Sequence, residues 1–243
     1  MRLRVALLGL LGAAMVAGTG CAEQIMNGFT ADQIFTDAGA ARLSQAACKG
    51  DARAIERALR DGAQANTKGQ FGITPLVVAV HCKSSNGVIK LIMAGGDPTY
   101  YIDGVYPIIY FAAAKSSPAI IRILIEAGAD PNASKSDSNR SALMEAMSRG
   151  IDDGDWSAYE ALLDCGADIN KDYGAGKTIA IFAANQGQLD KLESLIDRGY
   201  RYQLDNLIGH IEVRAYREDL ELKGRDIIAR LKGLGGHSRA PPD

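Results

Sequence analysis

Histidines, cysteines, clustered carboxylates and glycine-rich turns are the residues here that could carry chemistry. Histidine occurs at 81, 210 and 237, and none has a serine or cysteine partner at a recognisable nucleophile spacing. His81 reads either as a contact to a partner or as a solvated imidazole. Gly174-Ala175-Gly176-Lys177-Thr178 ends like a phosphate-binding loop. The full Gly-x-x-x-x-Gly-Lys-[Ser/Thr] pattern requires glycine at 171, where Lys171 stands, and no strand precedes it, so a tight hairpin is the better reading. The pairs Asp130/Asn132 and Asp168/Asn170 offer oxygen ligands of the kind Ca²⁺ takes. Successive pairs would be about 10 Å apart and lack a bidentate glutamate, so side chains bonded to their own turns explain them better. No metal site or cofactor follows, and the chain reads as a non-enzyme.

Cysteines occur at 21, 48, 82 and 165. They lack metal-ligand spacing, and setting Cys21 aside leaves an odd number. Cys48 and Cys82 fall at similar places in consecutive helical layers, about 8–10 Å apart axis to axis. That is long for a disulfide, so unpaired buried thiols are expected. Asp152, Asp153, Asp155 and Trp156 form the most unusual polar cluster. Either the tryptophan and its carboxylates dock on a basic partner, or the cluster is a solvated loop whose tryptophan folds back on the protein.

These residues must be positioned by some framework, and the framework is periodic. Gly62-Ala63-Gln64-Ala65-Asn66, Gly95-Gly96-Asp97-Pro98, Gly128-Ala129-Asp130-Pro131-Asn132, Gly166-Ala167-Asp168-Ile169-Asn170 and Gly199-Tyr200 each follow an apolar run. Their leading glycines lie 33, 33, 38 and 33 residues apart, a period that indicates stacked repeats rather than one globular core. Within a period the apolar residues recur at i, i+3, i+4, as for Ile55, Ala58 and Leu59, which predicts helices. Gly72-Ile73-Thr74-Pro75-Leu76 carries the clearest start signal. Thr74 can accept from a free N–H of the first turn, and Pro75 suits the first helical position because its missing N–H has no intrahelical partner there. The third period is one residue out of step at Tyr106-Pro107. The extra length of the fourth falls at Ile151–Trp156, expected to join its two helices.

Gly-x-Thr-Pro-Leu, paired alanines, an apolar second helix and Gly-Ala-Asp-x-Asn together resemble the ankyrin repeat. The resemblance implies an all-α ankyrin-repeat solenoid of about five helix-turn-helix units with short hairpin turns and helical caps. It also implies protein recognition by hairpin tips and inner helices. Carried over position by position, the partner-binding residues are Gln70, Phe71, Ile73, His81 and Cys82 in the second repeat. In the third they are Asp103, Tyr106 and Lys115, in the fourth Asp137, Arg140 and Arg149, and in the fifth Lys177, Asn185 and Gln186. Asp152, Asp153, Asp155 and Trp156 join them on the docking reading. For Phe71 and Tyr106, packing between neighbouring hairpins is the other reading.

The 243 residues are 47% apolar, with 27 basic and 29 acidic side chains and a net charge of −2. That balance excludes a general nucleic-acid binder, which needs a basic stripe. Met1-Arg2-Leu3-Arg4, the apolar run Val5–Val16 and Gly18-Thr19-Gly20-Cys21 have the layout of a bacterial export signal. Cys21 is either the lipidated residue of a lipobox-like site or part of an ordinary cleavage site ending at Ala22. The expected organisation is a signal at 1–21, an N-terminal leader and cap at 22–41, repeats at 42–203, a C-terminal capping helix pair at 204–234 and a tail at 235–243. In the leader, Phe29, Ile34 and Phe35 are available to cover the open end of the stack.

With its lipoprotein-like signal, Phe35-Thr36-Asp37, Ala46-Ala47-Cys48-Lys49-Gly50-Asp51 and Gly72-Ile73-Thr74-Pro75-Leu76, the chain resembles the ankyrin immunity lipoproteins of bacterial type VI secretion systems, which neutralise phospholipase effectors. The resemblance implies a periplasmic antitoxin that touches the membrane only through a lipid on Cys21. Its partner would be a secreted lipase-type toxin whose active site it blocks. An envelope scaffold with an endogenous partner, serving stress defence or complex assembly, is the other reading.

Overall fold

The computed structural model describes residues 24–26, 28–115, 117–214 and 221–235. The expected export signal, Cys21 and residues 236–243 of the tail lie outside the described residues. The chain divides into two compact units, Met1–Asp103 and Gly104–Asp243.

The first unit opens with two short antiparallel strands, β1 (Gln24–Met26) and β2 (Phe29–Thr30), and one helical turn, α1 (Ala31–Ile34). Two helix pairs follow: α2 (Ala38–Lys49) with α3 (Ala52–Arg60), and α4 (Pro75–His81) with α5 (Ser85–Met93). A short strand, β3 (Tyr101–Ile102), closes the unit. Each of these four helices is capped by the side chain before it. Asp37 accepts from the Ala40 N–H at 2.6 Å, Asp51 from Ala54 at 3.0 Å, Thr74 from Val77 at 3.4 Å and Ser84 from Gly87 at 3.1 Å. A cap of this kind stabilises its helix by about 1 kcal/mol.

The second unit begins at β4 (Tyr106–Pro107) and stacks α6 (Ile108–Lys115) with α7 (Pro118–Glu126), α8 (Ala142–Asp153) with α9 (Ser157–Asp164), and α10 (Ile179–Asn185) with α11 (Leu189–Asp197). It ends in α12 (Leu204–Arg214) and α13 (Glu221–Leu234). The last pair buries Leu204, Leu207, Ile211, Ile227 and Leu231. Its polar side meets α11, where Lys223 reaches Asp190 and Glu193, and Arg230 reaches Asp197.

The glycine-led turns set the step between layers. The aspartates bond their own turns as expected: Asp97 accepts from Thr99 N–H, Asp130 from Asn132 and Asp168 from Asn170, each at 2.8 Å. The asparagines do something else, because they reach the next turn along the stack. Asn66 donates to the Gly95 carbonyl at 2.7 Å and accepts from Asp97 N–H at 3.0 Å. In the second unit Asn132 accepts from Asp168 N–H at 2.7 Å, and Asn170 accepts from Arg201 N–H at 2.7 Å while donating to Gly199.

Three further expectations are corrected. Cys48 and Cys82 form a disulfide, with their Cα atoms 5.2 Å apart. The average helix spacing fails here: α2 and α4 pack directly on each other, and Ala46, Ala47 and Ala79 on them are buried. α5 also comes close to α2, where a Cβ on Gly87 would lie 2.1 Å from the Ala47 carbonyl oxygen, so only glycine permits that approach. Residues Ile151 to Asp153 are not part of a loop between helices but the last turn of α8, which has 12 residues against 7 in α10 and ends at the left-handed Gly154. In the leader, Ile34 and Phe35 are buried as expected, but Phe29 stays 43% exposed.

Two outcomes follow for stability. Asn170→Ala removes two bonds between neighbouring turns and lowers the unfolding free energy by about 1–2 kcal/mol in urea denaturation. Opening the disulfide with reductant, or making C48S/C82S, frees a 34-residue separation and lowers it by about 3–4 kcal/mol, so an unchanged urea midpoint under reductant would show that the bond does not form.

Candidate functional site

In the second unit, the inner helices and hairpins gather one connected polar and aromatic surface. The hairpin between the Asp130 turn and α8 is drawn tight by Lys135 N–H bonding the Arg140 carbonyl at 2.9 Å and Ala142 N–H bonding the Ala133 carbonyl at 3.1 Å. Asn139 supplies its left-handed residue, at φ 54°. The hairpin carries Lys135 and Asp137, which pair at 3.4 Å, and Arg140 at its base. Lys135 also places its ammonium 4.5 Å from the centre of the Tyr106 ring, whose centre lies 6.0 Å from that of Tyr110.

Arg140 is the hub of this surface. Its Nε donates to Glu145 at 3.0 Å, one terminal nitrogen bonds Ser148, and its guanidinium lies 5.2 Å from the Phe182 ring centre. Glu145 also accepts the Tyr110 hydroxyl at 2.6 Å. Burial, then the bond to Glu145, pushes the Tyr110 phenol well above its ordinary range, so it remains a donor. Side chains from α6, α8 and α10 are thereby locked in one arrangement, and Arg140 and Glu145 keep 34% and 19% of their side chains exposed. The Nη1 donors of Arg140 bond nothing among the described residues.

Several expected contact residues join this surface or its rim. Lys177 is exposed and donates to the Ser138 carbonyl at 3.4 Å, linking two hairpins. Its loop is a hairpin turn with Gly174, Ala175 and Gly176 all at positive φ, ending in Thr178 as the cap of α10. Lys115 and Gln186 are exposed near the C-terminal ends of α6 and α10, and Asn185 bonds His210 at 3.0 Å. In the first unit Gln70, Phe71 and Asp103 are exposed turn residues and His81 is half-buried at the end of α4. Ile73 is a correction: it is only 6% exposed and belongs to the core. Cys82 is a disulfide partner.

The Asp152–Trp156 cluster is largely satisfied from within. Arg149 reaches Asp153 at 3.2 Å and Asp155 at 2.7 Å. Trp156 folds back so closely that a Cβ on Gly150 would lie 2.5 Å from its indole. The ring stands edge-on to Tyr159 at 5.8 Å, and the Lys191 ammonium lies 4.4 Å from its centre. Of the four, Asp152 is exposed and makes no bond among the described residues. Sequence reasoning missed Tyr110, Glu145, Ser148 and Phe182. Glu145 and Phe182 hold the same inner-helix position, one residue before Ala146-Met147 and Ala183-Ala184, and the only charge at a register held elsewhere by Gln45, Val78 and Phe111 was the available signal.

A family model described as ankyrin repeats (3 copies) matches residues 43–135 and 108–206. Among solved structures, the human ASB11 ankyrin repeat domain is similar, with a TM-score of 0.57 at 20% identity over 79% of this chain and 83% of that one. At that identity the likeness is one of fold. The search of curated proteins returns no match.

The pit over Gly150 can be tested through the only tryptophan in the chain. Gly150→Ala improves helix propensity by about 1 kcal/mol but overpacks the indole at a cost of about 1–3 kcal/mol. The expected result is a net loss of stability and red-shifted tryptophan fluorescence, and an unshifted spectrum would mean that the ring does not lie there.

Proposed function

Because this chain belongs to the ankyrin-repeat family, we propose that it is an exported protein-binding module without catalysis of its own, and that it neutralises a lipase-type toxin. The observation carrying this reading is the locked surface around Arg140. Its side chains already hold their geometry, so a partner need not immobilise them, and ordering losses on binding are small. Aromatic and arginine residues on a rigid support are the usual sources of concentrated binding energy. A partner carbonyl or carboxylate accepting from Nη1 of Arg140 would engage its remaining terminal nitrogen. For a toxin, such a surface would cover the active-site cleft or hold its lid.

The location of this activity rests on two supports. The sequence has the layout of an export signal ending at Cys21, and the Cys48–Cys82 bond is of a kind that persists in oxidising compartments. Together they favour the periplasm, with a lipid on Cys21 as the membrane tether, and that is where an injected phospholipase meets its substrate.

Co-expression with a type VI secretion lipase-type toxin and purification from periplasm is the direct test. A stable complex is expected, with Arg140→Ala weakening it roughly thirtyfold while also lowering the unfolding midpoint through the lost bonds to Glu145 and Ser148. Recovery of no lipase would end the immunity reading, and a stably bound envelope protein in its place would favour the scaffold.

A further inference from the structure

In the first unit, the turn Gln70–Gly72 holds Phe71 at φ 57° and ψ 25°, followed by Gly72 at φ 67°. Two successive left-handed residues are the geometry of a tight hairpin turn that favours asparagine, aspartate or glycine at both places. Two related turns share the geometry with smaller residues at the first place, Asp103-Gly104 at φ 50° and 68° and Ala175-Gly176 at φ 54° and 74°. A large aromatic side chain at such a place is strained, and burial does not compensate it, because Phe71 is 50% exposed.

The turn is also fixed. Gly69 N–H bonds the Ile73 carbonyl at 2.8 Å, and the Tyr100 hydroxyl donates to the Gly72 carbonyl at 2.8 Å. A Cβ on Gly72 would lie 2.8 Å from the Asp103 nitrogen, so the neighbouring turn seats directly against this one. Two further aromatic side chains of the same unit, Phe29 and Tyr101, are 43% and 39% exposed.

Around Tyr100, whose hydroxyl holds the turn, two carboxylates stand against one ammonium. Asp103 is exposed next to Gly72, and after burial it is Asp103 and then Asp97 that push the Tyr100 phenol upward. Lys68, the cation closest in sequence, lies 5.3 Å from the Tyr100 ring centre. An anionic bilayer surface would repel this edge, whereas a cationic protein surface would attract it.

We propose that Phe71 is a pre-positioned anchor that inserts into an apolar pocket edged by lysine or arginine on a partner protein. This rests on the protein-binding reading above and assigns a second contact, on the first unit, with a stated chemistry. The strain at Phe71 is present before binding, and the fixed turn holds the ring ready, so little freedom is lost when it docks.

The full-length chain, exported in cells with photoreactive benzoylphenylalanine at position 71 or, as a control, at the exposed outer-helix position 126, tests this. A discrete protein adduct is expected at 71 and not at 126, with the cross-linked segment apolar and carrying Lys or Arg within a few residues. Adducts with lipid, adducts with an acidic segment, equal adducts at 126, or none at all would overturn the proposal. Phe71→Asn supplies the second measurement. It should raise the thermal midpoint by about 2–4 °C while weakening the partner identified by the adduct at least tenfold. A lowered midpoint or an undiminished affinity would sink it. A non-lipase adduct at 71 removes the immunity reading and leaves the anchor, whereas lipase co-purification with no adduct at 71 does the reverse.

Discussion

One asparagine side chain sets the step between neighbouring repeats. A carboxamide carries a donor and an acceptor on one planar group, so it can satisfy both a carbonyl and an N–H of the next turn. Asn66 and Asn170 do this in full, and Asn132 supplies the acceptor half. The reach of that short side chain fixes how far apart successive turns can be. Aspartate cannot replace it, because an ionised carboxylate only accepts, and the neighbouring aspartates are used within their own turns. The exception is Thr99, which takes the asparagine's place in its turn and bonds Asp97 there. It stands four residues before the division of the chain into two units at Asp103.

Once the step is set, the layers are held by burial. Large side chains such as Leu43, Ile55, Leu76, Leu91, Ile120, Leu124 and Leu143 are essentially solvent-free, and each such side chain contributes roughly 1.5–3 kcal/mol when buried. Ion pairs link the outer helices, as for Lys90–Glu56 at 2.7 Å, Arg122–Asp164 at 3.1 Å and Lys191–Glu160 at 2.9 Å. Their partners are mostly well exposed, so each is worth no more than about 1 kcal/mol, and their contribution is to alignment. Small residues have the opposite role: they bring helices close enough for specific bonds. The Cys48–Cys82 bridge depends on alanines that are themselves featureless.

The fold was legible because its signals are local. Thr74 with Pro75 marks a helix start, Gly128 a stop, and the distance between such marks is a property of the chain alone. What stayed hidden depends on contacts between layers. Whether Cys48 meets Cys82 turns on a helix separation smaller than the average, and no spacing rule contains it. Whether Trp156 docks on a partner or folds back stayed open because the pit above Gly150 is formed by the shape of α8, not by any residue type that attracts indole. Ile73 shared the variable position of its counterparts, but its apolar side chain went inward where Lys177, at the same place in a later repeat, went out to water. The Arg140 surface was half visible: Tyr106, Asp137 and Arg140 were expected, Lys135 was not, and Tyr110, Glu145 and Phe182 required three helices to be in place.

This division of labour bears on how such a chain can acquire a partner. The residues that set the step, Asn66, Asn132 and Asn170, are bonded to neighbouring turns, so a change there costs stability. Exposed hairpin tips such as Gln70 and Asp137 carry no such duty, so substitutions there leave the stack intact. Arg140 lies at the meeting point of the two classes: it is anchored by Glu145 and Ser148 inside the unit, yet keeps donors toward solvent. Its side chain is therefore oriented by the scaffold and answerable to a partner, the combination that lets a rigid surface bind without reorganising.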